Sequence, residues 1–287
     1  MYHIIANPIA SSGKKKRGLK KVENYLKENK IPYAVHFTEY AGHAVALAKE
    51  LTAAGETEII AFGGDGTMHE VFNGLEDPSK VHFGVIPAGT GNDFATHVGL
   101  PLSPKKAIEA IVKGEAKPTD YILCGGVRSL NSVGTGIDVD VLQRCQGSAV
   151  SGKLRYWKSL IASLHHFKGY HFTATADGVT KDYHAFLAVL CNGGMFGGGF
   201  RMCPSADVAD GKLNLVIVDF MKGFRRIKAL FALVRGNIEK LEATTSLSVE
   251  KVEITPRHPF ILQYDGELYG GVPFQAEVKR GGMLLYR

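Results

Sequence analysis

Gly63-Gly64-Asp65-Gly66-Thr67 and Pro87-Ala88-Gly89-Thr90-Gly91-Asn92-Asp93-Phe94 are the two stretches on which the reading of this chain turns. The first follows a largely apolar run, Glu58 to Phe62, and precedes a helix-compatible run, Thr67 to Leu75, so its glycines fall where a strand becomes a helix. The second occupies the same position after the run His82 to Ile86. Glycine allows positive φ and close backbone approach to an anion, and the free N–H groups at a helix start face that anion with the helix dipole behind them. A lone glycine-rich turn is weak evidence. Two, each after a strand and each carrying Asp and Thr, say more, because Thr can bond phosphate oxygens and Asp can hold magnesium-bound water. Together they predict one phosphate-binding apparatus, delivered by two neighbouring turns, of the kind an ATP-dependent kinase requires.

Outward from these turns, the N-terminal part alternates strands (Tyr2 to Ala6, Tyr33 to Phe37, Glu58 to Phe62, His82 to Ile86) with amphipathic helices marked by Leu19, Val22 and Leu26 and by Ala44, Leu47 and Leu51. This βαβ pattern predicts a doubly wound parallel α/β domain whose ligands gather beyond the carboxyl ends of the strands, where Asn7-Pro8, Thr38 and both glycine loops leave. After Pro118 the texture changes to short runs rich in Thr, Val, Tyr and Phe. The runs His171 to Ala176 and Tyr183 to Leu190 flank Asp177-Gly178, a hairpin signal. Further strands are expected at Leu213 to Val218, Leu247 to Ile254, Phe260 to Tyr264 and Phe274 to Lys279. Two helices are expected, near Gly152 to Phe167 and Phe224 to Asn237. The expectation is a nucleotide-binding α/β domain over 1–120, to which a C-terminal strand 281–287 can add, abutting an antiparallel β-sandwich over 121–280 whose cleft takes a second substrate.

No apolar run approaches the roughly 20 residues of a membrane helix, and the start reads as a strand rather than a signal peptide, which predicts a cytoplasmic protein. Cys124, Cys145, Cys191 and Cys203 are scattered without a Cys-x-x-Cys pair, suggesting neither zinc nor disulfides. The net charge of +6 favours anionic partners, phosphates or an acidic membrane surface, without choosing between them; nothing points to nucleic acid.

Asn7-Pro8, Gly63 to Thr67 with Glu70, and Pro87 to Phe94 resemble the diacylglycerol kinase catalytic-domain family, and within it the compact bacterial soluble lipid kinases. Asp265-Gly266-Glu267 near the C-terminus extends the resemblance over nearly the whole chain. The Gly-Gly-Asp-Gly-Thr element alone is shared with NAD kinases and phosphofructokinases; the Pro-x-Gly-Thr-x-Asn-Asp-Phe element points to lipid kinases. The resemblance implies an ATP- and Mg2+-dependent transfer of the γ-phosphate to a lipid hydroxyl, with diacylglycerol first and phosphatidic acid the product. ATP would be lined by Asn7, Thr38, Gly63, Gly64, Asp65, Gly66, Thr67, Met68, His69, Glu70, Gly89, Thr90, Asn92 and Asp93. His69 departs from the Asn common in these kinases. The catalytic residues would be Glu267, as general base on a tight turn, and Asp65; a role for Asp265 in orienting Glu267 stays open.

Asp207 and Asp210 stand three apart in a turn before the strand at Leu213. By spacing alone they are either an Asp-Gly turn or part of a cation loop; the resemblance implies a structural magnesium held by Asp207, Asp210 and the carbonyl of Lys212. Lys14 to Arg17 reads as a solvated charge run, and His165-His166 as helix surface. Phe224 to Phe231 is a basic amphipathic helix, able to lie on a membrane but more simply packed against its own sheet. The glycine-rich stretch Gly193 to Phe200 is expected to be a mobile loop bordering an acyl-chain entrance. The alternatives are a NAD kinase-like phosphorylation of a soluble nucleotide and a non-catalytic nucleotide-binding protein at the membrane surface. The lipid reading implies transient, salt-sensitive membrane contact without an anchor. A homodimer is also possible.

Overall fold

The run His3-Ile4-Ile5-Ala6 is buried on both sides of the backbone, which suits it to an inner strand of a parallel sheet rather than an alternating, half-solvated one. The computed structural model describes residues 1–7, 14–146 and 153–287. Contacts divide the chain into two units, Met1–Asp120 with Gly281–Arg287, and Tyr121–Arg280.

The first unit runs β1 (Tyr2–Ala6), α1 (Lys14–Glu28), β2 (Tyr33–Phe37), α2 (His43–Ala53), β3 (Glu58–Gly63), α3 (Asp65–Gly74), β4 (His82–Pro87), α4 (Asp93–His97) and α5 (Pro104–Lys113). β1 pairs in parallel with β2 on one side and β3 on the other; β3 pairs with β4, and β4 with Leu284 and Leu285 at the chain's end. On one face Leu19, Val22 and Leu26 of α1 meet Ala107, Ile108 and Ile111 of α5 over Ile4, Ile60 and Ile86. The alternate residues Ile5, Ile59 and Phe83 point to the other face and are buried too. There α2 packs on α3, and Phe72 of α3 lies 5.9 Å from Phe83 between ring centres. Gly74 permits this approach, since a Cβ there would strike the Val45 carbonyl of α2.

The second unit is entered through β5 (Ala116–Cys124). It contains β6 (Val127–Ser129), β7 (Ser132–Gly136), α6 (Ile137–Gln146), α7 (Lys153–His166), β8 (Tyr170–Ala176), β9 (Val179–Cys191), β10 (Met195–Phe196), β11 (Phe200–Arg201), β12 (Leu213–Asp219), α8 (Phe224–Val234), β13 (Thr244–Val249), β14 (Lys251–Pro256), β15 (Ile261–Tyr264), β16 (Glu267–Gly270) and the first part of β17 (Phe274–Tyr286), whose residues from Gly281 onward belong to the first unit. β9 is the organising strand: its first half pairs with β8, while Leu187 to Cys191 pair with β7 on one side and β12 on the other. The expected β8–β9 hairpin turns at Asp177 (φ 44°) and Gly178 (φ 87°), the paired positive φ values of a type I′ turn. Phe172, Leu190, Leu215, Ile254, Tyr264 and Phe274 form the core between strands. A second cluster joins Val189, Cys191 and Val216 to Leu160 of α7 and to α8. The architecture is thus a parallel α/β unit followed by an antiparallel, sandwich-like one.

Two sequence expectations change. Leu247 to Ile254 is two strands, because β13 pairs with β12 whereas β14 pairs with β8 and β17, and the amides of Glu250 and Lys251 at the break bond to the Asp177 carboxylate. Gly193 to Phe200 is not an open loop. It holds the β10–β11 hairpin, with Phe196 and Phe200 buried and Trp157 edge-on to Phe200 at 5.0 Å. Among the described residues no helix is long and apolar enough to cross a membrane.

Candidate active site

In the first unit the strand order changes direction between β1 and β3, and ligands of such sheets collect at that switch beyond the strands' carboxyl ends. Asn7 leaves β1 there and Gly63 closes β3. Gly63 can carry no side chain, because a Cβ would run into Thr67 one turn into α3. The loops after β3 and β4 touch backbone to backbone: a Cβ on Gly89 would lie 2.5 Å from the Gly64 Cα, and the Ala88 amide donates to the Gly63 carbonyl at 2.6 Å.

Asp65 fastens the two loops together. Its carboxylate accepts from the amides of Asn92 (2.8 Å) and Asp93 (2.9 Å), capping α4 from the neighbouring loop. Asn92 takes the left-handed conformation (φ 56°) and closes its own loop, accepting from the Gly89 amide at 2.9 Å. α3 and α4 thereby start side by side. Thr38 is held just after β2 by the hydrogen bond its amide donates to the Ala6 carbonyl (3.0 Å). Thr90 is exposed at the loop tip, and Gly66, Thr67 and Glu70 are partly exposed on α3. Met68 and His69 turn inward, 3% and 2% exposed, so their side chains face the interior of the unit.

In the second unit, β15 and β16 form a two-residue hairpin in which Tyr264 pairs with Glu267. Asp265 (φ 52°) and Gly266 (φ 94°) make its type I′ turn. The buried Asp265 carboxylate accepts from Ser129 Oγ (2.6 Å) and from the amides of Leu130 (3.0 Å), Asn131 (2.8 Å) and Ser132 (3.1 Å). Four donors compensate a charge that burial would otherwise disfavour. Gln263 adds a second tether, accepting from the Gly266 amide at 2.9 Å. Glu267 leaves this anchored turn with its side chain exposed, a carboxylate presented on a rigid support.

Residues 1–124 match the family model "Diacylglycerol kinase catalytic domain", and residues 131–286 match "YegS C-terminal NAD kinase beta sandwich-like domain". The chain belongs to the diacylglycerol kinase and YegS family of lipid kinases. Among its relatives are "Probable lipid kinase YegS-like" of Alcanivorax borkumensis, 32% identical over 88% of this chain and 86% of the relative, and "Diacylglycerol kinase" of Bacillus subtilis, 29% identical over 94% and 90%. A solved structure from Bacillus anthracis, named "A putative diacylglycerol kinase", superposes with a TM-score of 0.81 at 25% identity, over 99% of this chain and 96% of that one.

A kinase of this family uses ATP. Asp207 and Asp210 are exposed in a turn where each spends one oxygen on its own loop, on the amides of Ala209 (3.0 Å) and Lys212 (2.9 Å). The neighbouring Gly211 carbonyl accepts from Arg280 Nε at 3.0 Å. Among the described residues no three His, Cys, Asp or Glu side chains converge on a metal position. The loop offers two carboxylates and backbone carbonyls instead, a hard-oxygen donor set suited to magnesium or calcium with water completing the shell. Pro8 of the Asn7-Pro8 element lies outside the described residues, as do the side chains of Lys14 and Lys15.

Asp138, which the sequence reading passed over, begins α6 directly after β7. Both its oxygens are buried without a well-formed hydrogen bond, and burial pushes its carboxyl up to about 7, offset only in part by the nearby amides of Val139 and Asp138 and by the Gln263 side chain. Gly134 makes room for it: a Cβ there would lie 2.8 Å from Asp138 Oδ2 and 3.2 Å from Gln263 Nε2. The available signal was Gly134-Thr135-Gly136-Ile137-Asp138, a third glycine-marked passage from strand to helix.

Proposed function

We propose that this protein transfers the γ-phosphate of ATP to a lipid hydroxyl, with diacylglycerol as the substrate and phosphatidic acid as the product. The observation that carries this is the joining of the two glycine loops by Asp65, which sets two helix N-termini and a run of glycine backbone side by side at the sheet's switch point. Such a cradle suits a nucleotide triphosphate. Asn7, Thr38, the Gly63 to Glu70 segment, Gly89, Thr90, Asn92 and Asp93 bind the nucleotide, with Met68 and His69 supporting the α3 start from within. Asp65 positions the loops. Phosphoryl transfer asks the protein mainly to hold phosphates in line and relieve the attacking hydroxyl of its proton; Glu267, exposed on its tethered turn, is the general base. The relative named diacylglycerol kinase supports the choice of diacylglycerol.

Mg2+ enters twice in this reading, as the partner of ATP and as a structural ion held by Asp207, Asp210 and the Lys212 carbonyl that orders the second unit. Added magnesium should raise the melting temperature of the wild type and leave Asp207→Ala unmoved; equal responses remove the structural role. The protein acts in the cytoplasm and meets the membrane transiently.

The deciding experiment offers labelled ATP and magnesium to a lipid panel in mixed micelles, with NAD as the soluble control. Label is expected in diacylglycerol and should fall about a hundredfold or more in Glu267→Ala. Label in NAD alone would overturn the lipid assignment, and ATP binding without any product would indicate a nucleotide sensor.

A further inference from the structure

α8 has two apolar faces where one would suffice to hold it. Leu230 and Leu233 join the cluster that binds α8 to its own unit. Phe224, Ile227, Phe231 and Val234 follow one another by three, four and three residues and form a second stripe on the solvent side, Phe224 at 78% and Phe231 at 56% exposure. α7 continues this surface. Ile161, 58% exposed, and Ile227 line the same groove of about 530 Å3, together with Leu164, Arg226 and Leu230.

The groove's walls are fixed by Arg226. Its guanidinium donates to the Leu164 carbonyl at 2.7 Å and the Met221 carbonyl at 2.9 Å, and lies 5.0 Å from the centre of the Phe186 ring. Those contacts occupy its charge internally. Lys222, Arg225, Lys228 and Arg235 remain exposed around the apolar stripe. In sequence, Lys153 to Lys168 and Lys222 to Arg235 contain nine Lys and Arg and no Asp or Glu, more positive charge than the net +6 of the whole chain. Six of the twelve large apolar side chains exposed among the described residues, Leu154, Ile161, Phe224, Ile227, Phe231 and Val234, therefore share two adjacent helices with this concentration of basic charge.

We propose that α7 and α8 form the face by which this protein docks on an anionic phospholipid bilayer. Phe224, Ile227, Phe231 and Ile161 enter the boundary between headgroups and acyl chains, and the surrounding Lys and Arg pair with lipid phosphates, the arrangement of an interfacial amphipathic helix. The charge chooses this occupant over a second copy of the chain, because a two-fold contact through this face would set its cations against their own duplicates. The inference goes beyond the lipid kinase reading, and it is tested without nucleotide or turnover.

The full chain is mixed with vesicles of phosphatidylcholine alone, or of phosphatidylcholine and phosphatidylglycerol in equal parts, and the bound fraction is read by flotation. Binding is expected on the anionic vesicles only and should fall as salt shortens the Debye length below about 8 Å. The double variant Phe224→Ser with Phe231→Ser changes only exposed side chains and should bind about tenfold more weakly; Arg225→Glu with Lys228→Glu should do the same. In Phe231→Trp, added fluorescence that brominated acyl chains quench would confirm insertion. No binding of the wild type to anionic vesicles, or full binding by both double variants, overturns the proposal. So does a dimer in solution that the serine variant dissolves while vesicle binding is unchanged.

Discussion

Asp265 places a carboxylate at a depth where its charge is disfavoured unless donors surround it, and Ser129 through Ser132 supply four. Asp265→Ala strands three backbone amides and frees the turn beneath Glu267. We expect a loss of about 3 kcal/mol in denaturant titrations, with a fall in kcat larger than any change in KM for ATP. Asp138 presents the opposite case, a buried carboxyl without well-formed partners, lifted from 3.8 to about 7. Between those values the folded chain keeps a proton that the unfolded chain has released, so the group's contribution is full below 3.8 and is lost as pH rises through 7. Asp138→Asn should therefore flatten the decline in stability over this window and be more stable than wild type at pH 8, by on the order of 4 kcal/mol, as measured by thermal unfolding across pH. Of these two residues the sequence displays only one. Asp265-Gly266-Glu267 is legible as a turn, but its donors lie more than a hundred positions away. For Asp138 the glycine-marked passage Gly134 to Ile137 points to a strand-to-helix turn but does not show that the carboxyl is buried.

The helices at the candidate site are short, and α4, with five residues, cannot sustain itself on hydrogen bonds of its own. It depends on the Asp65 carboxylate across the neighbouring loop. Asp65→Ala should release α4, cost about 1–2 kcal/mol in stability and raise KM for ATP. Gly89→Ala, which drives a methyl onto the Gly64 Cα, should separate the loops and abolish nucleotide binding, as read by calorimetry. Elements of this kind are visible in sequence where one pattern dominates. Short apolar runs gave the strands of the first unit, and Asp177-Gly178 gave the β8–β9 hairpin. Reading failed where a partner remote in sequence decides. The break between β13 and β14 follows from which strands each side meets, and the β10–β11 hairpin from aromatic packing on α7 that glycine content disguises. α8 shows both outcomes: its sheet-packing face was expected, and its second, exposed stripe appears only when burial is known.

At the scale of the whole chain, the change of texture near Pro118 marks the passage from parallel to antiparallel architecture, and the family matches meet there, ending at residue 124 and resuming at 131. That division was legible because parallel strands demand buried runs and intervening helices, whereas antiparallel ones advertise alternation and tight turns. The cysteines divide unevenly across it. All four are buried and all belong to the second unit; burial holds the Cys124 thiol at about 11 and the Cys191 thiol well above its ordinary value. Thiols so shielded stay silent toward alkylating reagents until the fold around them opens. The protein thus contains a clock for the opening of one half only, running on residues with no part in phosphate transfer. If ATP slows the clock, the cysteine-free half shares its opening with the other; if the rate is indifferent to ATP, each half breathes on its own.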